Sequence, residues 1–271
     1  MATVRDVNNF LCSIAPVEMK MDFDNVGFLV GRSDSEVSKI LVSLDITPDV
    51  ISEAIDVGAE LIVSHHPLFF SLKSVTDADI TGEKIVRLLN AGVSAICMHT
   101  NLDAARGGTN DALAAAAGIS DDKRQADLLN EEGHLPDGTV FSYGRVGRLK
   151  HPCSLMEYLD LLKKALKTNG LRYYDAGKEV CKVAVVGGSG GSELHHAVKC
   201  GCDTFVTADI KYDVFLEAKE IGVNLIDGDH FCTEDLVTGV LAERLGAAFP
   251  EIAVSKALCH GQTARFFIQA M

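Results

Sequence analysis

The sequence predicts an α/β protein built from two related lobes with largely parallel sheets. Three observations indicate this. Apolar strand-like runs alternate with helix-period stretches, short Gly or Pro breaks separate them, and one strand–helix–strand pattern occurs twice. With 47% hydrophobic and 23% charged residues in 271 positions, the chain can bury a substantial core. Ligand sites of such sheets gather at the carboxyl ends of the strands, so those ends are where functional side chains are expected.

The first lobe is predicted over residues 1–125. It reads KILVSLDIT (39–47), helical PDVISEAIDVG, LIVSHH, helical GEKIVRLLNAG and VSAICMHT, a strand–helix–strand–helix–strand order. The stretch DDKRQADLLNEEGHLPDG then breaks the hydrophobic rhythm with charge, Gly and Pro. We therefore expect the lobe boundary within residues 120–130 and the second lobe over residues 126–271.

The second lobe repeats the first. Lys39–Pro67 aligns without gaps on Lys182–Ile210, and His66 then falls on Asp209. After a one-residue slip, His99-x-x-x-Asp103 corresponds to His230-x-x-x-Glu234. A chance repeat of common α/β patterns is the alternative, and the recurring His-x-x-x-carboxylate pair weakens it. The identical pairs are Lys39/Lys182, Val42/Val185, Ala54/Ala197, Gly58/Gly201 and Val63/Val206.

Composition narrows the function classes. The formal charge of −13 and the lack of a basic run disfavour direct binding to nucleic acid, whose phosphates are bound mainly by Lys and Arg. The N-terminal segment has no signal-peptide pattern, and no run of about 18 apolar residues occurs, so we expect a cytoplasmic protein without a membrane partner. The eight cysteines form no C-x-x-C pair, which favours buried free thiols over a zinc ribbon or redox motif.

The pair His65-His66 ends a buried-strand pattern, and two adjacent imidazoles there cannot both point into a core. Neighbouring side chains leave an extended backbone on opposite sides, so the pair can serve two adjacent metal ions. A surface His beside a half-buried His is the alternative. Further candidate ligands at strand ends favour a dinuclear metal site; they are His99, Asp103, His230 and Glu234. Imidazole plus carboxylate suits zinc, manganese, iron and nickel, and affinity order does not choose among them.

Simpler explanations exist for single residues. Glu234 can form a helical salt bridge with His230 at i,i+4, and Asp103 can cap the following helix. The Gly-rich VVGGSGGSEL fits a tight strand-to-helix turn better than a phosphate cradle. The other histidines, in loop-like, helical or terminal contexts, are left out of the site; they are His134, His151, His195, His196 and His260.

Seven motifs together resemble the Nif-three-like dinuclear-metal family, many of whose members are called GTP cyclohydrolase I type 2 homologues. The resemblance spans about residues 22–234, and the HHP, HxxxD and DxxHxxxE elements are jointly specific. The motifs are DNVGFLVG, SLDIT, IVSHHPLFF, HTNLDAARGGTNDALA, GGSGG, TADIKYD and IDGDHFCTE.

This resemblance implies two divalent metal ions per subunit in a cleft between the lobes. The implied ligands are His65, His66, Asp103, His230 and Glu234, with His99 at or beside them. It also implies a ring-shaped homohexamer, a trimer of dimers whose metal sites face an internal cavity. The segment 121–181 is too short for the inserted domain of some members, so the chain matches the compact form.

Three positions depart from the family pattern. Phe23 stands where many relatives have Trp, Asp213 where His is usual, and Asp229 where Gly is usual. The two Asp residues add negative charge near the expected cleft and question any acid–base role at position 213.

Two hypotheses for function follow. The first is a metal-dependent hydrolase acting on a nucleotide or another small phosphorylated or cyclic molecule, with GTP ring opening as the specific variant and His99 as a candidate proton shuttle. The second is a non-catalytic metal-binding oligomer that acts as a metal sensor, store or partner-binding scaffold. A ligand list predicts metal binding and does not distinguish the two.

Overall fold

The computed structural model describes residues 2–121 and 125–267. Its strands are β1 (Gly27–Val30), β2 (Lys39–Ser43), β3 (Leu61–Ser64), β4 (Ser94–Cys97), β5 (Asp127–Leu128), β6 (Gly133–His134), β7 (Val140–Phe141), β8 (Arg145–Cys153), β9 (Arg172–Tyr174), β10 (Val180–Val185), β11 (Thr204–Thr207), β12 (Asn224–Asp227) and β13 (Ala253–Lys256). Its α-helices are α1 (Val4–Ile14), α2 (Pro48–Val57), α3 (Ile80–Ala91), α4 (Thr100–Ala104), α5 (Thr109–Ala116), α6 (Leu155–Leu166), α7 (Leu194–Lys199), α8 (Tyr212–Ile221), α9 (His230–Glu234) and α10 (Leu236–Ala248). Two short 3-10 segments lie at Val17–Met19 and Gly191–Glu193.

The chain forms two compact units. Unit 1 contains Met1–Arg106 and Val237–Gly261, and unit 2 contains Gly107–Leu236 and the residues from Gln262 onward. The lobe boundary expected at 125/126 stays a prediction, because the segment around it includes residues outside the described part of the chain. One difference is plain: Val237–Gly261, which the sequence assigned to the second lobe, belongs to unit 1 because β13 pairs with β2.

Unit 1 holds a five-stranded sheet of order β1-β4-β3-β2-β13. The strands β4, β3, β2 and β13 are mutually parallel, and β1 is antiparallel to β4. Helices α2 and α3 connect the parallel strands, and apolar residues of both helices join the strands in one core cluster. The carboxyl ends of β2, β3 and β4 therefore lie at one edge of the sheet.

Unit 2 holds a six-stranded sheet of order β5-β8-β10-β11-β12-β9. Its centre, β10-β11-β12, is parallel, and antiparallel strands flank it on both sides. Residues at the end of β10 and just after it alternate between two cores: Val183 and Val185 join one cluster, and Ala184 and Val186 the other. This period of two buries both faces of the strand. The predicted fold class, α/β with largely parallel sheets, is confirmed.

The internal repeat extends to single hydrogen bonds. In unit 1 the Glu60 carboxylate accepts the Lys39 backbone N–H at 2.8 Å, and in unit 2 Asp203, at the equivalent position, accepts the Lys182 N–H at 2.7 Å. The equivalent glycines Gly58 and Gly201 both have positive φ, 69° and 72°, just after a helix. Their identity in the alignment has a physical cause, because a residue without Cβ adopts this backbone without strain.

Among residues 2–121 and 125–267, no helix is both long and apolar enough to cross a membrane.

Candidate metal centre

Three neighbouring strands of unit 1 end in polar side chains. Asp45 follows β2, His65 and His66 follow β3, and His99 follows β4. Because these strands are parallel and adjacent, their carboxyl ends converge at one edge of the sheet. The backbone ladder continues past β3, since the His65 N–H donates to Ser43 O at 3.2 Å and the His66 N–H to Leu44 O at 2.8 Å.

The three imidazoles form a triangle. The ring centroids of His65 and His66 lie 5.1 Å apart, and that of His99 lies 5.3 Å and 5.5 Å from them. One potential ligand atom from each ring lies within 4.8 Å of the others. The chain bends at His65 and His66, and both rings join this cluster. That the two rings serve two adjacent metal ions stays a prediction.

Asp103 joins this cluster through the short helix α4. His99 is the N-terminal cap residue of α4, and the Asp103 N–H donates to His99 O at 3.1 Å. This single turn places Asp103 Oδ1 3.4 Å from His65 Nε2. The capping explanation fails, because the cap position of the next helix, α5, is Gly108.

In all three rings of the triangle, Nδ1 is bonded away from the cluster. His65 Nδ1 lies 2.8 Å from Met98 O, His66 Nδ1 lies 2.7 Å from Asp45 Oδ1, and His99 Nδ1 lies 2.9 Å from Asp24 Oδ1. A carbonyl or carboxylate oxygen can only accept, so Nδ1 carries the hydrogen in each pair. In the neutral ring Nε2 then keeps its lone pair, which is the tautomer that a metal-ligating histidine needs.

The two carboxylates behind these rings are held in the charged form. Burial acts to raise the pKa of Asp24, but hydrogen bonds from His99 and Thr100 outweigh it and lower the pKa to about 2. For Asp45, burial is likewise outweighed, here by hydrogen bonds from His260 and His66, and its pKa lies well below its usual range. Both carboxylates are therefore fixed negative acceptors around neutral pH.

Unit 2 carries the second pair of candidate ligands on α9. His230 and Glu234 are one turn apart, and His230 Nε2 lies 3.0 Å from Glu234 Oε2. The other ring nitrogen, Nδ1, lies 2.7 Å from Asp209 Oδ2, so this ring is also bonded outward to a carboxylate. Asp209 is the residue that the repeat aligned with His66. The predicted i,i+4 contact is thus present, and Glu234 is buried.

The surroundings of His230 favour positive charge. Burial lowers its pKa, but the Glu234 and Asp209 carboxylates outweigh burial and raise the pKa to about 9. A field that stabilises an imidazolium also attracts a metal cation, so a proton and a metal compete for Nε2.

The Gly-rich turn after β10 makes room for Glu234. A Cβ built on Gly188, whose φ is +60°, would lie 2.1 Å from Glu234 Oε1. The backbone N–H groups of the turn are taken within the unit: Gly187 donates to Asn110 Oδ1 at 2.8 Å and Gly188 to Thr233 Oγ1 at 3.1 Å. The tight-turn interpretation therefore holds, and these two donors do not face a phosphate.

The thiol on α9 is not set up as a nucleophile. Cys232 is buried, and burial together with nearby carboxylates raises its pKa to about 12. Its thiolate is therefore scarce at neutral pH, and reactivity requires the thiolate.

The two aspartates that depart from the family pattern differ in their surroundings: Asp229 is hydrogen-bonded within unit 2, and Asp213 is exposed. Asp229 has φ +72°, a backbone conformation that favours glycine, the residue that the family resemblance leads us to expect there. Its side chain compensates, since Oδ1 caps α9 by accepting the Cys232 N–H at 3.1 Å and Oδ2 accepts from Gln262 at 2.5 Å. Asp213 is exposed in the first turn of α8.

Sequence reasoning missed the residues behind the ligands. Asp24, Asp45 and Asp209 stand in the motifs DNVGFLVG, SLDIT and TADIKYD, but no role was assigned to Asp24 or Asp45. The sequence did contain a signal for these three aspartates, because each lies at or near the end of a strand in the same sheet as a candidate histidine. His260, left out of the site, lies with Nε2 2.8 Å from Asp45 Oδ2.

Sequence and structure comparisons agree on the family. A family model described as Duf34/NIF3 (NGG1p interacting factor 3) matches residues 2–262. The chain belongs to the Duf34/NIF3 family. A Clostridium perfringens member named GTP cyclohydrolase 1 type 2 homolog is 37% identical over 233 residues, covering 85% of this chain and 86% of that relative. A Clostridium acetobutylicum member with the same name is 34% identical over 254 residues, covering 93% and 92%.

Solved structures of other proteins share the fold. A Staphylococcus aureus protein superposes with a TM-score of 0.88 at 26% identity, covering 98% of this chain and 99% of that one. A Bacillus cereus protein related to NIF3 superposes with a TM-score of 0.90 at 21% identity and the same coverage, a likeness of fold alone.

The Gly188 contact yields a prediction. Gly188→Ala places a Cβ against Glu234 at a positive φ, so we expect the metal-free protein to lose about 1–3 kcal/mol of stability in urea unfolding. Gly191→Ala, in the same turn, is the control, because its nearest contact would be an ordinary 3.7 Å to Val214. Equal losses for the two variants would contradict this account of the turn.

Proposed function

We propose that this Duf34/NIF3 member holds two divalent metal ions with His65, His66, Asp103, His230 and Glu234, and with His99 at or beside these ligands. The observation that carries the proposal is that all four histidines of the set bond outward through Nδ1 to a carboxylate or a carbonyl oxygen. Metal-ligating histidines in general have this arrangement.

The arrangement does not extend to most other histidines of the described residues. His134 and His195 lie on the surface and pair through Nε2, with Glu131 and Glu217. His196 pairs through Nδ1, but its partner Glu193 is a neighbour three residues away on the same surface segment. A ring whose Nδ1 is fixed by an acceptor from a different strand or loop is thus typical of the proposed ligands.

The donor set fits a divalent cation. It combines neutral imidazole nitrogens with two carboxylates, Asp103 and Glu234, a mixture found in zinc, iron, manganese and nickel sites. In unit 1, the His65 Nε2 lone pair faces an Asp103 oxygen at 3.4 Å. A nitrogen lone pair and a carboxylate oxygen that face each other at this distance both attract positive charge, so a proton or a metal ion between them is favourable.

For the reaction, we propose metal-dependent hydrolysis of a nucleotide or another small phosphorylated or cyclic molecule. Divalent ions, when bound, supply Lewis acidity toward water and substrate oxygens. The protein's own contribution is rigidity: Asp24, Asp45 and Asp209 fix three rings, and Met98 O fixes the fourth. The His99–Asp24 pair is also the candidate for moving a proton in a ring-opening reaction, the activity that the names of the two Clostridium relatives suggest.

A cavity supports a small-molecule substrate. It has a volume of about 510 Å³, and Pro67, the residue directly after His66, is part of its lining. This volume lies within the usual range for small-ligand sites. Its lining includes Phe70, Ser71 and Lys73, so it offers an aromatic ring, a hydroxyl and a positive charge.

An exposed aromatic pair supports a planar group in that substrate. The Phe70 centroid lies 6.0 Å from that of His99 and 5.9 Å from that of Phe23. Both phenylalanines are more than half exposed, at 54% and 63%. Exposed aromatic faces offer stacking to any nucleobase. A nucleotide stacked on Phe70 would lie beside the histidine triangle.

The second candidate is a non-catalytic metal-binding protein, a sensor, store or scaffold. The family description, which names an NGG1p interacting factor, favours a partner-binding role. The two candidates share the metal centre and differ in turnover.

We also propose a homohexamer, a trimer of dimers, on the family resemblance. Native mass spectrometry of the purified chain should give a particle of six copies, and a monomer at micromolar concentration would contradict it.

The test of the proposed function combines metal content with turnover. We expect elemental analysis of the wild type to give about two metal ions per chain, and incubation with a nucleotide panel to release phosphate or formate. The double variant His65→Ala/Glu234→Ala should lose both, because it removes a ligand from each unit. His66→Gln and Glu234→Gln, which preserve side-chain volume better, serve if the double variant unfolds.

Two further variants make the outcomes distinct. His195→Ala, which removes only a surface ion pair, should keep metal and turnover. Phe70→Ala should keep the metal and raise KM for nucleotides. Metal without turnover would support the sensor or scaffold, and a wild type that takes up no metal after reconstitution would contradict the centre itself.

A further inference from the structure

The C-terminal segment of unit 1 brings a further histidine, His260, to the edge of the histidine triangle. His260 Nε2 donates to Asp45 Oδ2 at 2.8 Å, while Asp45 Oδ1 accepts from His66 Nδ1 at 2.7 Å. The two oxygens of one carboxylate thus serve two imidazoles. The His260 side chain is only 11% exposed, whereas that of Asp45 is 39% exposed.

The segment that leads to His260 is anchored by three consecutive backbone N–H groups, those of the residues just before it. The Ala257 N–H donates to Val42 O at 2.8 Å, which extends the pairing of β13 with β2. The next two N–H groups, of Leu258 and Cys259, both donate to the Glu53 carboxylate of α2 at 2.9 Å. His260 therefore reaches Asp45 from a fixed backbone.

This geometry restricts Asp45. A partly exposed carboxylate that accepts only one hydrogen bond can rotate about its terminal torsion and exchange its partner for water. With a donor on each oxygen, rotation breaks two charge-assisted bonds at once. The His66 ring, whose Nδ1 depends on Asp45, is then held in one orientation.

We propose that His260 is a positioning residue of the metal centre, which fixes Asp45 so that Asp45 fixes the ligand His66. The inference rests on the proposed function for its metal readout, although the positioning itself concerns the metal-free chain. It also assigns a role to the segment after β13, which lies about 190 residues along the chain from His66.

The first arm of the test measures the metal-free protein. In nitrogen-15 spectra of the chelated wild type, we expect a His66 ring in the Nδ1–H form with a slowly exchanging proton. His260→Ala should lose that protection, and His260→Gln, whose side-chain N–H can still donate to Asp45, should retain most of it. His195→Ala is the control. An unchanged His66 proton in a folded His260→Ala variant would overturn the inference.

The second arm measures Co²⁺ binding by competition with a chelator. His260→Ala should bind Co²⁺ about tenfold more weakly, which is the lower end of the usual loss when a residue that orients a metal ligand is removed. The visible spectrum of the bound Co²⁺ should also change. His260→Gln should recover both, and His195→Ala should match the wild type. An affinity and spectrum unchanged in His260→Ala would overturn the inference. If the wild type binds no Co²⁺ while His66 protection still depends on His260, the proposed function fails and the positioning role stands.

Discussion

The candidate centre depends on one kind of interaction, the bond from a histidine Nδ1 to an acceptor fixed behind it. In unit 1 these acceptors come from the loop before β1, from the end of β2 and from the end of β4. Each acceptor belongs to a different stretch of chain from the ring that it holds. Asp24 holds His99 in two ways, because it accepts from the His99 ring and also from the backbone N–H of Thr100, in the first turn of α4. Burial would oppose the charge on Asp24 and Asp45, and the imidazoles reverse that effect. The rings and the carboxylates therefore stabilise each other, and the ring orientations are set before any ligand arrives.

The repeated strand–helix–strand element explains why such a site can arise at matching places in two units. Both copies use a carboxylate to tie down the start of the first strand and a left-handed glycine to leave the helix. They differ where the strands end. Where unit 1 has the candidate ligand His66, unit 2 has Asp209, whose carboxylate accepts from Nδ1 of His230. The same backbone thus supplies a candidate ligand in one copy and an orienting acceptor in the other.

Much of this was readable in the sequence, since strand and helix periods and short glycine turns are local signals. The fold class, and the positions of His65, His66 and His99 just after strand ends, followed from them. The partners behind the ligands did not, because a carboxylate gives no local sign of which ring it faces. His260 is the extreme case: it reaches Asp45 only because β13 returns to pair with β2, a long-range contact.

The account is tested most directly by diffraction from metal-loaded crystals, with data collected on both sides of the metal absorption edge. It predicts two anomalous peaks per chain, bonded by Nε2 of His65, His66 and His230 and by oxygens of Asp103 and Glu234, with every Nδ1 still on its outer acceptor. Peaks bonded by Nδ1, or metal bound away from these residues, would contradict it.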